Sequence, residues 1–123
     1  MPTEAAPFRK VAEQFVAAAA AGKGATLVEM LSPNIKERAG ADAVRSTMEG
    51  QVLPFFADHA SIGNSTTITN TTDASGNAGF AFYMWSVPKS GEQKPFVVYV
   101  VNENGKTVIA NILVNRFVEG RHQ

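Results

Sequence analysis

Asn104-Gly105, standing between two apolar runs, is the strongest constraint in the chain. This dipeptide fits a two-residue hairpin loop, because both loop positions must take positive φ. The strands it joins are expected at about Pro95 to Glu103 and about Lys106 to Val118. Counting back from the loop pairs Glu103 with Lys106, Val101 with Val108, Tyr99 with Ala110 and Val97 with Ile112. One face then carries Val97, Tyr99, Val101, Ala110, Ile112 and Val114. The other carries Val98, Val100, Ile109, Asn111, Leu113, Asn115 and Phe117. Both faces are mainly apolar, whereas a sheet with one wet face alternates apolar with polar residues. Each face therefore needs a cover, and an uncovered apolar patch of that size marks an interface.

The rest of the chain supplies one cover. Residues 7 to 58 carry a helical period and residues 60 to 119 a strand period, which is the order of an α+β fold. A first helix is expected from about Pro7 to Ala21, with Phe8, Val11, Ala12, Phe15 and Val16 on one stripe. Gly22 and Gly24 stop it. A short second helix spans about Ala25 to Leu31, ended by Ser32-Pro33. Gly40 opens a third, about Ala41 to Asp58, with a kink or break at Pro54. Two further strands complete the sheet. One is a polar, Thr-rich stretch over residues 61 to 72, and the other runs from about Ala78 to Val87. The last few residues read as a loose tail.

Composition narrows the function. The 123 residues are 45% hydrophobic, enough for one domain with one core over about residues 7 to 119. Eleven basic and eleven acidic side chains cancel, which leaves no excess charge for nucleic acid. There is no cysteine, so disulfides, thiolate metal sites and a Cys nucleophile are excluded. No apolar run approaches the roughly 20 residues of a membrane helix. The start, Met1-Pro2-Thr3-Glu4, has no basic n-region, so a cytoplasmic location is expected unless a leader has been removed.

With the elements in this order, three segments carry a family resemblance. They are Val11-Ala12-Glu13-Gln14-Phe15-Val16-Ala17-Ala18 before Gly22, Gly40-Ala41-Asp42-Ala43-Val44-Arg45, and Asn102-Glu103-Asn104-Gly105-Lys106-Thr107-Val108. From about Phe8 to Glu119 the chain resembles the nuclear transport factor 2-like superfamily, which includes ketosteroid isomerase and the SnoaL-like cyclases. The resemblance implies a cone-shaped, cystatin-like α+β roll. About three N-terminal helices would pack on a curved antiparallel sheet of four or more strands. A pocket would open at the wide end and a homodimer would form through the back of the sheet. It implies pocket-lining roles for Phe15, Phe55, Phe80, Phe82, Val97, Tyr99, Ala110 and Ile112. Tyr83, Trp85, Val98, Asn111, Leu113, Asn115 and Phe117 would form the dimer face, with Trp and Tyr as anchors.

The isomerase machinery does not carry over. That chemistry uses a carboxylate base with a tyrosine and a protonated aspartic acid as oxyanion hole. The tyrosine position falls on Phe15 and the oxyanion aspartic acid falls near Val97. The segment that should supply the base is only Pro33 to Ala39 and offers Glu37. Asp58 and His59 are the remaining acid–base candidates, set against a plain reading as a polar helix end. His122 reads as inert, and Glu103 with Lys106 as a solvated cross-strand pair. Two distant histidines make no metal motif, and no cofactor is expected. Two classes of function follow. One is a small-molecule-binding homodimer for an apolar ligand, with Tyr99 as its polar handle. The alternative is an enzyme of cyclase, dehydratase, isomerase or hydrolase type on a small apolar substrate. A protein-interaction module on the sheet back is a third class.

Overall fold

The computed structural model describes residues 3–122. Helix α1 (Ala6–Ala20) buries Ala12, Phe15, Val16 and Ala19, a single stripe at helical spacing. It ends in a glycine cap, where Gly22 and Lys23 donate back to the Ala19 and Ala18 carbonyls. Helices α2 (Gly24–Met30), α3 (Pro33–Ala39) and α4 (Ala41–Thr47) follow. The 33–39 segment, left without an assigned element between the expected second and third helices, is a helix, with Pro33 in its first turn where no N–H is needed.

Helix α4 runs on through a π-helical turn (Met48–Val52) into α5 (Leu53–Phe56). Leu53 donates to the Met48 carbonyl, five residues back. This widened turn lies immediately before Pro54, whose ring would clash with the preceding helical turn and which has no N–H to give. The expected disturbance at Pro54 therefore takes the form of a π turn. Val52, Phe55 and Phe56 stay in the core.

The sheet has five antiparallel strands: β1 (His59–Ile62), β2 (Thr67–Thr72), β3 (Ala78–Pro88), β4 (Lys94–Glu103) and β5 (Lys106–Val114). The order is β1-β3-β4-β5, and β2 pairs with the same edge of β3 as β1 does. The expected Thr-rich strand is thus two strands. Asn104 and Gly105 have φ of 53° and 82°, as a hairpin of this length demands. Strand β5 stops at Val114, short of the expected Val118, and Asn115 follows at φ 59°.

The hairpin register holds from Glu103↔Lys106 to Val100↔Ile109 and then slips. Ala110 is an extra residue on β5, so Tyr99 pairs with Asn111, Val98 with Ile112 and Val97 with Leu113. This corrects the expected pairs Tyr99–Ala110 and Val97–Ile112. The slip turns over only the later side chains of β5, residues 111–114. The faces of β4 are set by its pairing with β3. Phe80, Phe82 and Met84 pair with Val100, Val98 and Phe96. These six, with Ile109, Ile112 and Val114, pack against the helices. Val98, expected on the outer face, is therefore an inner residue. Val97, Tyr99 and Ala110, expected beside Phe80 and Phe82, lie on the outer face with Ala81, Tyr83 and Trp85.

The inner face is filled. Phe15, Phe56, Phe82 and Phe96 are wholly buried, with Phe55, Phe56 and Phe96 in mutual edge contact at 4.7–6.0 Å. Phe80 closes against Phe8 at 5.2 Å. The outer face is largely covered by the chain itself. Val101, Val108 and Ala110 form a second small core with Tyr99. Glu103 is buried too, and accepts a hydrogen bond from the buried Ser32 hydroxyl. It is not the solvated partner of Lys106 that the register suggested. Ser32 also donates its backbone N–H to the Ile109 carbonyl at 2.8 Å, tying the start of α3 to β5.

At the other end of the outer face, residues 118–122 turn back over the sheet. His122 is 3% exposed. Its Nδ1 accepts from the Val118 N–H at 2.9 Å, and its Nε2 lies 3.0 Å from the Phe96 carbonyl, which only a protonated Nε2 can satisfy. Its ring meets Tyr83, Trp85 and Phe117 at 5.6, 5.4 and 5.7 Å. The expectation of a loose tail with an inert histidine is corrected: this turn is part of the packed structure.

Candidate functional site

A cleft of about 400 Å³ lies over the outer face at the β4–β5 hairpin end. Its floor is Tyr99, Val101, Ala110 and Asn111. One wall is Asn34, Ile35 and Arg38 of α3, and the other is Thr71 to Ala74 at the end of β2. Gly79 brings that second wall close. A Cβ there would stand 1.9 Å from the Val100 carbonyl oxygen and 2.6 Å from the Val101 Cα. Only glycine permits such a backbone approach between β3 and β4. Across the cleft mouth, Asn34 Nδ2 donates to Ser75 Oγ at 3.3 Å.

The turn that bears the second wall is built around Asp73. Its carboxylate accepts from the Ser75 N–H at 3.0 Å, the Asn77 N–H at 2.8 Å and Asn77 Nδ2 at 3.0 Å. Desolvation pushes this carboxyl up. The Asn77 and Ser75 donors, with the Arg38 guanidinium, outweigh that and hold it below the usual carboxylate range. Asp73 is therefore ionised and already supplied with donors. Tyr99 is the opposite case. Burial raises its phenol above the usual value of 10.0, and the neighbouring Tyr83, hydrogen-bonded to it, adds to the rise against the opposing charge of Arg116. A neutral phenol in an apolar floor can orient a ligand but cannot serve as a base near neutrality.

Asp58 and His59 lie outside this cleft. Asp58 is exposed and bound to Lys94 Nζ at 3.2 Å. The same ammonium donates to the Phe55 carbonyl at 2.9 Å and sits 4.7 Å over the Phe55 ring, so it caps the end of α5. His59 turns inward, against Phe56, and its Nδ1 is 2.6 Å from the buried Ser86 hydroxyl. Burial lowers its pKa below 6.5, Asp58 pulls the other way, and Lys94 lowers it further. The neutral ring shares a hydrogen bond with the Ser86 hydroxyl through Nδ1. Asp58 does not orient the imidazole, and Ser86 is 0% exposed, so the set is no catalytic triad. Glu37 is exposed on α3 and is not among the cleft's walls.

Of the expected pocket residues, Tyr99 and Ala110 line the cleft. Phe15, Phe55, Phe80 and Phe82 are in the helix–sheet core, and Val97 is buried beneath the outer face. Ile112 lines a separate apolar groove of about 180 Å³ between Leu31, α3, α4 with the start of the π turn, and β5. Asn111, expected on a dimer face, lines both, as do Ile35 and Ala110. Sequence reasoning missed Asn34, Arg38, Thr71 and Asp73. The Asp73 turn did have a signal in Asp73-x-Ser75-Gly76-Asn77, but nothing local tied it to α3. Among the described residues no three His, Asp or Glu side chains are grouped to hold a metal ion, and no helix is long and apolar enough to cross a membrane.

Comparison with models of known families, with curated proteins and with solved structures found no match in any of the three.

Proposed function

We propose that this chain is a small-molecule-binding domain of the nuclear transport factor 2-like type, with the cleft between α3, the Asp73 turn and β4–β5 as its ligand site. The observation that carries this reading is the make-up of the cleft. It joins the buried Val101 and Ala110 and the half-buried Tyr99 of its floor to the polar groups of Asn34, Arg38, Thr71 and Asn111 in a volume of about 400 Å³, within the range of roughly 300–1,000 Å³ usual for ligand pockets. Binding without catalysis is favoured because neither ionisable group of the walls and floor with a displaced pKa is poised as a base. Tyr99 is held protonated, and Asp73 is engaged by its own turn. A homodimer belongs to the same proposal through Phe117, which is 53% exposed beside Trp85.

The test is a fragment screen read by amide chemical shifts, together with native mass spectrometry of the purified protein. Fragments of phenol, small-amide and short-acid type are expected to move the amides of Ile35, Thr72, Tyr99, Ala110 and Asn111 as one saturable set. Tyr99→Phe should weaken the hydrogen-bonding fragments several-fold and leave purely apolar ones unchanged. A screen in which no fragment moves that set would overturn the reading. Turnover of a substrate blocked by His59→Asn would favour an enzyme instead.

A further inference from the structure

The cleft and the apolar groove are adjacent, and their lining differs sharply. They share Ile35, Ala110 and Asn111. Beyond that shared wall the cleft carries Asn34, Arg38, Tyr99 and the Thr71–Asp73 backbone turn. The groove carries Leu31, Val44, Met48 and Ile112. A ligand seated across both must therefore be polar at one end and apolar at the other. The charged groups decide the sign of the polar end. Asp73 already accepts three N–H donors. Arg38 is exposed and acts on Asp73 across the cleft through its charge, with no ion pair or hydrogen bond at contact distance among the described residues, so its N–H donors are open to a ligand. Its five donors in a planar fork match a carboxylate in two-point contact.

We propose, resting on the cleft reading above, that the ligand is an unbranched aliphatic carboxylate. Its carboxylate lies at Arg38 and Asn34, and its chain passes Ile35 and Ala110 into the groove. The groove volume of about 180 Å³ sets the chain length. It holds about six methylenes at roughly 30 Å³ each, the volume a water takes in the liquid. Medium-chain acids fit, and long-chain acids extend past the groove into solvent.

The experiment compares sodium octanoate, 1-octanol and sodium butyrate, each below any micellar concentration, by amide shifts on the whole chain. Octanoate should saturate and move residues of both cavities, including Arg38, Tyr99, Ala43 and Ile112. Octanol, lacking the charge, and butyrate, lacking the chain, should each bind at least tenfold more weakly. Arg38→Gln should erase the preference for octanoate over octanol. Ala43→Phe, on an exposed helix position at the groove, should weaken octanoate without changing butyrate. Equal binding of octanol and octanoate overturns the proposal, as does an Arg38→Gln variant that keeps the preference or an Ala43→Phe variant that changes nothing. If octanoate leaves the cleft unmoved while neutral fragments still shift it, the ligand class falls and the cleft reading stands. If neither moves it, both fall.

Discussion

His59 sits half-buried between Phe56 and Ser86, and its position makes stability depend on pH in a particular window. Its pKa in the folded chain is below the usual 6.5, mainly because burial disfavours the imidazolium. The unfolded chain therefore binds more protons as pH falls below that value. The stability His59 contributes is complete above about pH 6.5 and is lost as pH falls through its folded pKa. Solvent screens a ring this exposed, so the change is less than about 1 kcal/mol. Urea midpoints measured between about pH 5 and 7.5 should rise with pH in the native chain. In His59→Asn, which keeps a hydrogen-bonding group at that position, the slope should flatten. An unchanged slope would place the effect elsewhere. Asp73 does not confuse the reading, because its depressed carboxyl gives stability that is lost only below its usual 3.8. The Asp73 turn had a local signal in the sequence, but the surroundings of His59 did not. Asp58 and His59 are neighbours along the chain, yet the backbone sends one to Lys94 and the other to Ser86, on a strand 27 residues away.

At the scale of elements, local chemistry made some features legible and left others hidden. The Asn104-Gly105 turn and the glycine cap of α1 were readable because every atom that fixes them lies within a few residues. The bulge at Ala110 has no such signature, and it carries Tyr99 opposite Asn111 and turns residues 111–114 of β5 over, while the pairing of β4 with β3 is what puts Val98 rather than Val97 on the inner face. Helix α3 was hidden because Ser32-Pro33 reads as a stop, and a stop for one helix is also a start for the next. The cleft's walls come from residues 34–38, 71–74 and 99–111, three segments that no periodicity links. Gly79 is the element-scale test of that closure. An alanine there would press its Cβ into the Val100 and Val101 backbone, and backbone cannot swing aside as a side chain can. Gly79→Ala is expected to cost about 3 kcal/mol or more, the upper end of overpacking penalties, read as a lowered urea midpoint. A variant of native stability would mean that β3 and β4 can separate there without loss.

For the whole molecule, the question is what covers the second apolar face of the sheet. The sequence pattern demanded a cover and suggested another copy of the chain. The chain largely supplies its own: Ser32, α3 and the Asp73 turn at one end, and the turn ending at His122 at the other. His122 is the pin of the second cover. One ring nitrogen holds the turn together through Val118, the other holds it to β4 through Phe96, and the ring faces lie among Tyr83, Trp85 and Phe117. Removing the imidazole unties both bonds at once and leaves the Phe96 carbonyl without that donor, at a cost of about 1–3 kcal/mol. It also uncovers Trp85, the sole tryptophan. His122→Ala is therefore expected to shift the tryptophan emission to longer wavelength. Sedimentation equilibrium should show tighter self-association, at least tenfold, as the aromatic patch gains contact with a second copy. Red-shifted emission without stronger association would mean that the uncovered patch is too small to pair two chains, and the homodimer would lose its remaining support. Unshifted emission would mean that the turn stays seated without its histidine, held by Val118 and Phe117 alone.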